Sequence, residues 1–297
     1  AGGSAGIHSL NILLTMFSGV LLARALGPED YGIYAFVLSV ITLLSLPTKA
    51  GLPTLLIREM AKNQLNKHWG LMRGLLKISS SVALGYSFIV ICIVTIWIIW
   101  QCTVIEKSKA DTLIWALWLL PLMAIEAVRT GTVRGLRWIV RAQFPEQIVK
   151  PLVIVILVGM TILLGKDITA VTAVKYNLLG MFAAFVLGTI FLVKAFPEEA
   201  SSAPPEYSVK PWLASLLPLT LFAGLKMLDS QVSILFLGVL ATNEDVGLFR
   251  VAATGSGLVA FGLTAVNMAL APQVARLYNA GEMEKLQRVI TLSTRAV

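Results

Sequence analysis

The chain has 297 residues, of which 57% are hydrophobic and only 13% charged. Soluble domains carry about a quarter charged residues, so this share, with a mean hydropathy of +0.82, excludes an ordinary soluble domain and points to an integral membrane protein. The excess of 24 Lys and Arg over 16 Asp and Glu raises nucleic acid as a partner, but no separate basic domain exists and the cations gather in alternate loops, as the positive-inside rule requires.

A span needs about 20 mostly apolar residues. On that basis the sequence predicts helices at 7–26, 31–57, 78–101, 112–133, 148–165, 170–194, 212–240 and 247–271. Gly27-Pro28 breaks the first helix from the second, and Glu29 and Asp30 place acid at the N-terminus that follows. The second helix has no charge from Tyr31 to Leu46 and then gathers Pro47, Lys49, Gly51 and Pro53 at membrane depth. An interrupted, charged helix is costly in hydrocarbon and tolerated mainly where it lines a cavity. Phe196 to Lys210, rich in Pro, Ser and Glu, predicts a flexible connector. The domains expected are a first six-helix lobe over 1–195, a cytoplasmic linker over 196–211 and the start of a second lobe over 212–297. The chain begins with Ala, and 286–297 read as an apolar helix cut short, so the expectation is a fragment of a longer transporter.

Sixteen Lys and Arg follow the even-numbered predicted helices and five follow the odd-numbered ones. That asymmetry places the N-terminus in the cytoplasm and 103–111 and 166–169 outside. Cys92 and Cys102 would lie about 15 Å apart on one helix, too far to bridge. His8 and His68 are the only histidines, so no metal site and no bound cofactor are expected. Phosphate-cradling, hydrolase and zinc-binding motifs are missing, and the chain is not expected to be an enzyme.

An internal repeat is visible. Glu29-Asp30-Tyr31-Gly32-Ile33-Tyr34 aligns with Glu244-Asp245-Val246-Gly247-Leu248-Phe249 at a shift of 215 residues, with Pro272 and Arg276 as rough counterparts of Pro53 and Arg58. Each copy joins the first two helices of a six-helix unit. An even number of spans per unit relates the units by an axis along the membrane normal.

The pattern R-x-L-G-P-E-D-Y-G-x-Y-A at Arg24–Ala35, A-G-L-P-T-x-L-x-R-E at Ala50–Glu59 and R-G-L-R-W-I-V-R-A-Q-F-P-E-Q at Arg134–Gln147 resembles the oligosaccharide flippases. These form the polysaccharide-transporter branch of the multidrug/oligosaccharidyl-lipid/polysaccharide exporter superfamily. The resemblance implies an all-α polytopic membrane protein, a MATE-like two-lobe helical bundle with the first lobe complete and the second partial. It implies export of polyprenyl-diphosphate-linked oligosaccharide across a bacterial inner membrane, for surface polysaccharide synthesis. It also implies a cleft lined by the first, second, seventh and eighth helices, proton or sodium coupling, a monomer, and polysaccharide-assembly proteins and membrane lipids as partners.

Cleft candidates are Arg24, Lys49, Lys226 and Asp229. Lys49 could serve an anionic head group or snorkel to the interface. Lys226 and Asp229, three residues apart, share a helix face and could form a mutually neutralising pair or divide phosphate and ion binding. Glu126, Thr130, Arg134, Arg137 and Arg141 predict one helical stripe with Arg129 beside it. Its arginines read as a topology signal bound to anionic lipid or as an intake patch for a diphosphate. Lys175 with Asn177 is a weaker candidate near a span end. A cation-coupled multidrug exporter of the same superfamily is the alternative. A membrane polymerase or ligase is less favoured, because it would need a long outer loop.

Overall fold

The computed structural model describes residues 2–100, 106–256, 282–283, 286–287 and 291, with side chains from Gly6 onward. The protein is all-α, and six helical stretches among the described residues are long and apolar enough to cross a membrane. Residues Ala1–Arg250 form one compact unit and Val251–Val297 a second. The helix expected at 247–271 begins at 243 and is described to 256. The remainder of that helix, Cys102, Pro272, Arg276 and most of 286–297 lie outside the described residues.

The first long element, α1 (Gly2–Leu44), joins the predicted first helix to the start of the second. They part at Gly27, the one residue with non-helical angles (φ 73°, ψ 174°). That left-handed φ suits glycine, and Pro28, whose missing N–H costs nothing in a first turn, restarts the helix. The interruption read in the second helix is real. α1 stops at Leu44, α2 (Leu46–Lys49) is a single turn, and α3 (Leu52–Leu65) resumes after Gly51.

The next helix, α4 (Trp69–Trp100), starts nine residues before its predicted edge, so Arg73 and Lys77 lie on its first turns. The predicted fourth helix is α5 (Lys107–Leu117) and α6 (Leu119–Gly135), offset at Trp118. The predicted fifth likewise begins early. It is built from α7 (Ile139–Phe144), a π-helical turn at Pro145–Val149 and α8 (Lys150–Leu163). Pro145 cannot donate to the ladder, and the register widens until the Lys150 N–H reaches the Pro145 carbonyl. Such π turns concentrate at functional positions. The sixth helix, α9 (Ala170–Ala195), matches its predicted span, and Thr169 caps its N-terminus.

The connector is docked rather than flexible. It holds α10 (Glu198–Ser202), and the strap beyond it lies on α4. Arg73 Nη1 donates to the Ala203 carbonyl at 2.7 Å and the Glu206 amide to the Gly70 carbonyl at 2.9 Å. Prolines and serines lowered the expected order here, but Gly70 and Gly74 leave a groove in α4 that the strap fills.

The seventh helix, α11 (Val209–Leu240), packs along α1, α2 and α3. Leu46 touches Gly224, and Thr220 meets the backbone at Gly51. Small residues let helices approach closely where lipid supplies no hydrophobic drive. The main apolar cluster joins Leu26, Ile33, Val37 and Ile41 of α1 to Leu119, Leu120, Val158 and Val174. A second cluster joins Leu55, Leu56 and Met60 of α3 to Met72, Val128 and Trp212.

Candidate functional site

The break in the second helix places Lys49 against α6 and the π turn. Its Nζ lies 3.5 Å from Glu126 Oε2 and 3.5 Å from Glu146 Oε1. Lys49 is therefore shared between two carboxylates. Its side chain is 23% exposed and Glu126's only 4%. Each group has a definite origin. Pro47 and Gly51-Leu52-Pro53 interrupt the ladder and turn Lys49 out of a continuous helix, and Pro145 opens the π turn that carries Glu146.

Around this node, Thr130 donates to Glu126 Oε1 at 2.9 Å, while Lys150 and Arg129 lie near enough to both carboxylates to interact electrostatically. Three cations thus surround two carboxylates. With all five ionised the cluster has one positive charge in excess, and that single net charge is what an anion meets there. The Asn11 amide donates to the Gln147 carbonyl at 2.7 Å, tying the N-terminal helix to the π turn.

Arg129 is 2% exposed and does not belong to a surface patch. Its Nη1 donates to the Phe185 carbonyl at 2.8 Å, and the guanidinium fills the notch at Gly188. Nη2 finds no hydrogen-bond partner among the described residues. The predicted single stripe is broken as well. α6 ends at Gly135, Arg137 turns left-handed (φ 67°) and Arg141 stands on α7. The Trp138 amide reaches back to the Val133 carbonyl at 3.2 Å and that of Arg137 to Arg134 at 3.0 Å, a helix-closing pattern that usually employs glycine. Arg134, Arg137 and Arg141 are exposed, and Arg141 lies 4.1 Å from the Trp138 ring centroid.

The other candidates stand apart from Lys49. Arg24 is exposed one turn before Gly27. Lys226 and Asp229 are exposed on α11 and form no ion pair among the described residues. Lys175 lies over the Trp115 ring at 4.3 Å, and the Asn177 amide donates to the buried Tyr34 hydroxyl at 2.9 Å. Glu146 escaped the sequence reading. Its signal was an acid directly after a helix-breaking proline inside an otherwise basic segment.

The profile of the family described as "Polysaccharide biosynthesis protein" matches residues 4–278. The chain belongs to this family. A search of curated proteins found no relative. Among solved structures, the chain is similar to a multidrug resistance MATE family transporter of the MOP superfamily in an inward-facing conformation. That likeness has a TM-score of 0.68 and 17% identity, over 96% of this chain and 67% of the other. At this identity the match speaks for the fold, which is MATE-like. The sequence resemblance to the flippase branch and the expected fold class are thereby met, and family and fold together support a membrane exporter.

Proposed function

We propose that the protein moves a polyprenyl-diphosphate-linked oligosaccharide from the cytoplasmic to the outer face of a bacterial inner membrane, feeding surface polysaccharide synthesis. The observation that carries this reading is the family match over residues 4–278. The cluster at Lys49 supports it, because a diphosphate crossing a low-dielectric interior gains from a cation held there. In this reading the N-terminus is cytoplasmic, two lobes related along the membrane normal enclose the path, and transport uses a proton or sodium gradient without chemical conversion of the cargo. Arg134, Arg137 and Arg141 face the cytoplasm and meet diphosphate or anionic lipid there. Membrane lipids and polysaccharide-assembly proteins are its partners, and it works as a monomer.

The deciding experiment is complementation. Expression in a strain lacking its own flippase should restore surface glycan, detected as a ladder on gels, while an unchanged glycan-deficient surface at confirmed expression would defeat the proposal. A second reading, a cation-coupled drug exporter, is favoured by the buried Glu126 with the half-buried Glu146 beside it. It predicts raised resistance to organic cations in the same cells, without glycan.

A further inference from the structure

Lys175 is a cation with no carboxylate to meet it. It stands half-buried in the second turn of α9, and no ion pair among the described residues includes it. Its Nζ lies 4.3 Å from the centroid of the Trp115 ring on α5. A lysine inside a span is costly unless an anion or water solvates it, and the negative face of an indole supplies only part of that. Asp111 is exposed one turn before Trp115 on the same face of α5 and is likewise outside every ion pair among the described residues. Lys107 is a further turn out, about 12 Å along the axis from Trp115, too far to share a group held at Lys175.

The same Trp115 ring forms one wall of an apolar cavity of about 440 Å3. Its other walls are Trp118 at the offset between α5 and α6, Leu122 of α6, and Leu178, Leu179 and Phe182 of α9. Trp115, Trp118, Leu179 and Phe182 are exposed. The three α9 residues follow Lys175 at three, four and seven positions, which is one helix face. An apolar stripe about 10 Å long therefore runs from the cation toward the middle of the span. Along this seam the order is carboxylate, ammonium, indole, hydrocarbon. An aminophospholipid presents the complementary order of ammonium, phosphate, ester carbonyl and acyl chain.

We propose that the seam between α5 and α9 is a binding site for one phosphatidylethanolamine molecule, with its phosphate on Lys175, its ammonium on Asp111 and the start of an acyl chain in the cavity. Tryptophans favour the head-group level of a membrane, where indole N–H groups donate to ester carbonyls. The head group is selected by charge. Phosphatidylglycerol has no cation for Asp111 and brings a net negative charge beside it. Phosphatidylcholine carries its cation under three methyl groups and has no N–H to donate. A polyprenyl diphosphate suits the site least, because it sets several negative charges against one lysine with a carboxylate next to it. The site holds whatever cargo the chain moves.

The test is lipid retention. The full-length protein in detergent is offered phosphatidylethanolamine, phosphatidylglycerol and phosphatidylcholine of identical acyl chains, and a polyprenyl phosphate, and native mass spectrometry counts what stays bound. One phosphatidylethanolamine should be retained about tenfold more tightly than any of the others, the value of one charge-assisted hydrogen bond. Lys175→Gln should lower that affinity about tenfold for the same reason. Asp111→Asn should remove the discrimination against phosphatidylcholine. Leu179→Trp should displace the lipid by filling the cavity while both charges stay in place. Added phosphatidylethanolamine should also raise the Tm of the parent, since a ligand of the folded state stabilises it, and should leave that of Lys175→Gln unmoved. Equal retention of all four lipids by the parent would show an unselective lipid layer. A preference for phosphatidylglycerol would show a bare cation, and a preference for the polyprenyl phosphate would give the seam to the cargo. Selective retention that survives Lys175→Gln would put the lipid elsewhere. Each of these four results overturns the proposal.

Discussion

Replacing Lys49 with methionine removes the one cation among the described residues that pairs with both Glu126 and Glu146, while keeping the stem's volume. At 3.5 Å and an effective dielectric near 20, each contact is worth about 5 kcal/mol of gross attraction. Most of that offsets desolvation. Removing one partner of a buried pair nevertheless costs about 3–5 kcal/mol, because the remaining charge is stranded. Glu126, only 3% exposed, would keep the Thr130 hydroxyl and the more distant charges of Arg129 and Lys150 but lose its one ion-pair partner among the described residues. We predict a loss of about 3 kcal/mol, or roughly 6–12 °C in Tm at 2–4 °C per kcal/mol. Glu126→Gln added to Lys49→Met should recover about half of it, since the stranded charge is then gone. Lys49→Arg should keep most of the stability by retaining both pairs. Thermal unfolding of detergent-purified protein, followed by tryptophan fluorescence, reads the parent, these variants and Glu126→Gln alone. If the Tm losses of Lys49→Met and Glu126→Gln simply add in the double variant, the two side chains do not interact and the electrostatic account of the site is wrong. Glycan export by the double variant, at matched protein levels, then separates roles: full export would mean that Lys49 is structural alone.

Gly188→Ala should lower Tm by an amount equivalent to about 1–3 kcal/mol, because the added methyl enters the space of the Arg129 guanidinium and overpacking strains both helices; an unchanged Tm would mean that the notch relaxes freely. Arg137→Gly should leave Tm unchanged or raise it, whereas Arg137→Val should lower it by about 1–2 kcal/mol equivalent, as expected of a β-branched residue at a left-handed position. Equal Tm values for the two variants would contradict the helix-closing turn. Asp229→Asn should express normally, since the exposed carboxylate forms no ion pair among the described residues, and should alter only the response of export to proton or sodium gradients; collapse of expression would reveal a structural partner. Single cysteines at 107–109 and 166–169 should be labelled by impermeant reagents from outside the cell, and exclusive labelling from inside would reverse the proposed orientation.

Composition and hydropathy by themselves determined that this chain is a bundle of membrane helices, because a hydrocarbon solvent demands long apolar runs with internally satisfied backbones. The breaks at Gly27-Pro28 and across Pro47–Pro53 were equally legible, since proline and glycine act on the backbone through their own covalent structure. The repeated turn is likewise a sequence feature, with Glu29, Asp30 and Gly32 recurring 215 positions on as Glu244, Asp245 and Gly247. Helix edges in polar segments were not. Arg73 and Lys77 continue a helix as readily as they leave one, and the strap over α4 is ordered by a groove that sits 130 residues away in the chain. Charge pairing was the property that tertiary structure alone decided. Lys49 and Glu146 meet on the α6 residue Glu126 because two helix breaks, nearly a hundred residues apart, turn those two side chains to one point. Lys226 and Asp229, adjacent on one helix face, stay apart. Spacing along a helix fixes which side chains share a face, but a salt bridge depends on which other helix comes within 4 Å, and that is a matter of packing.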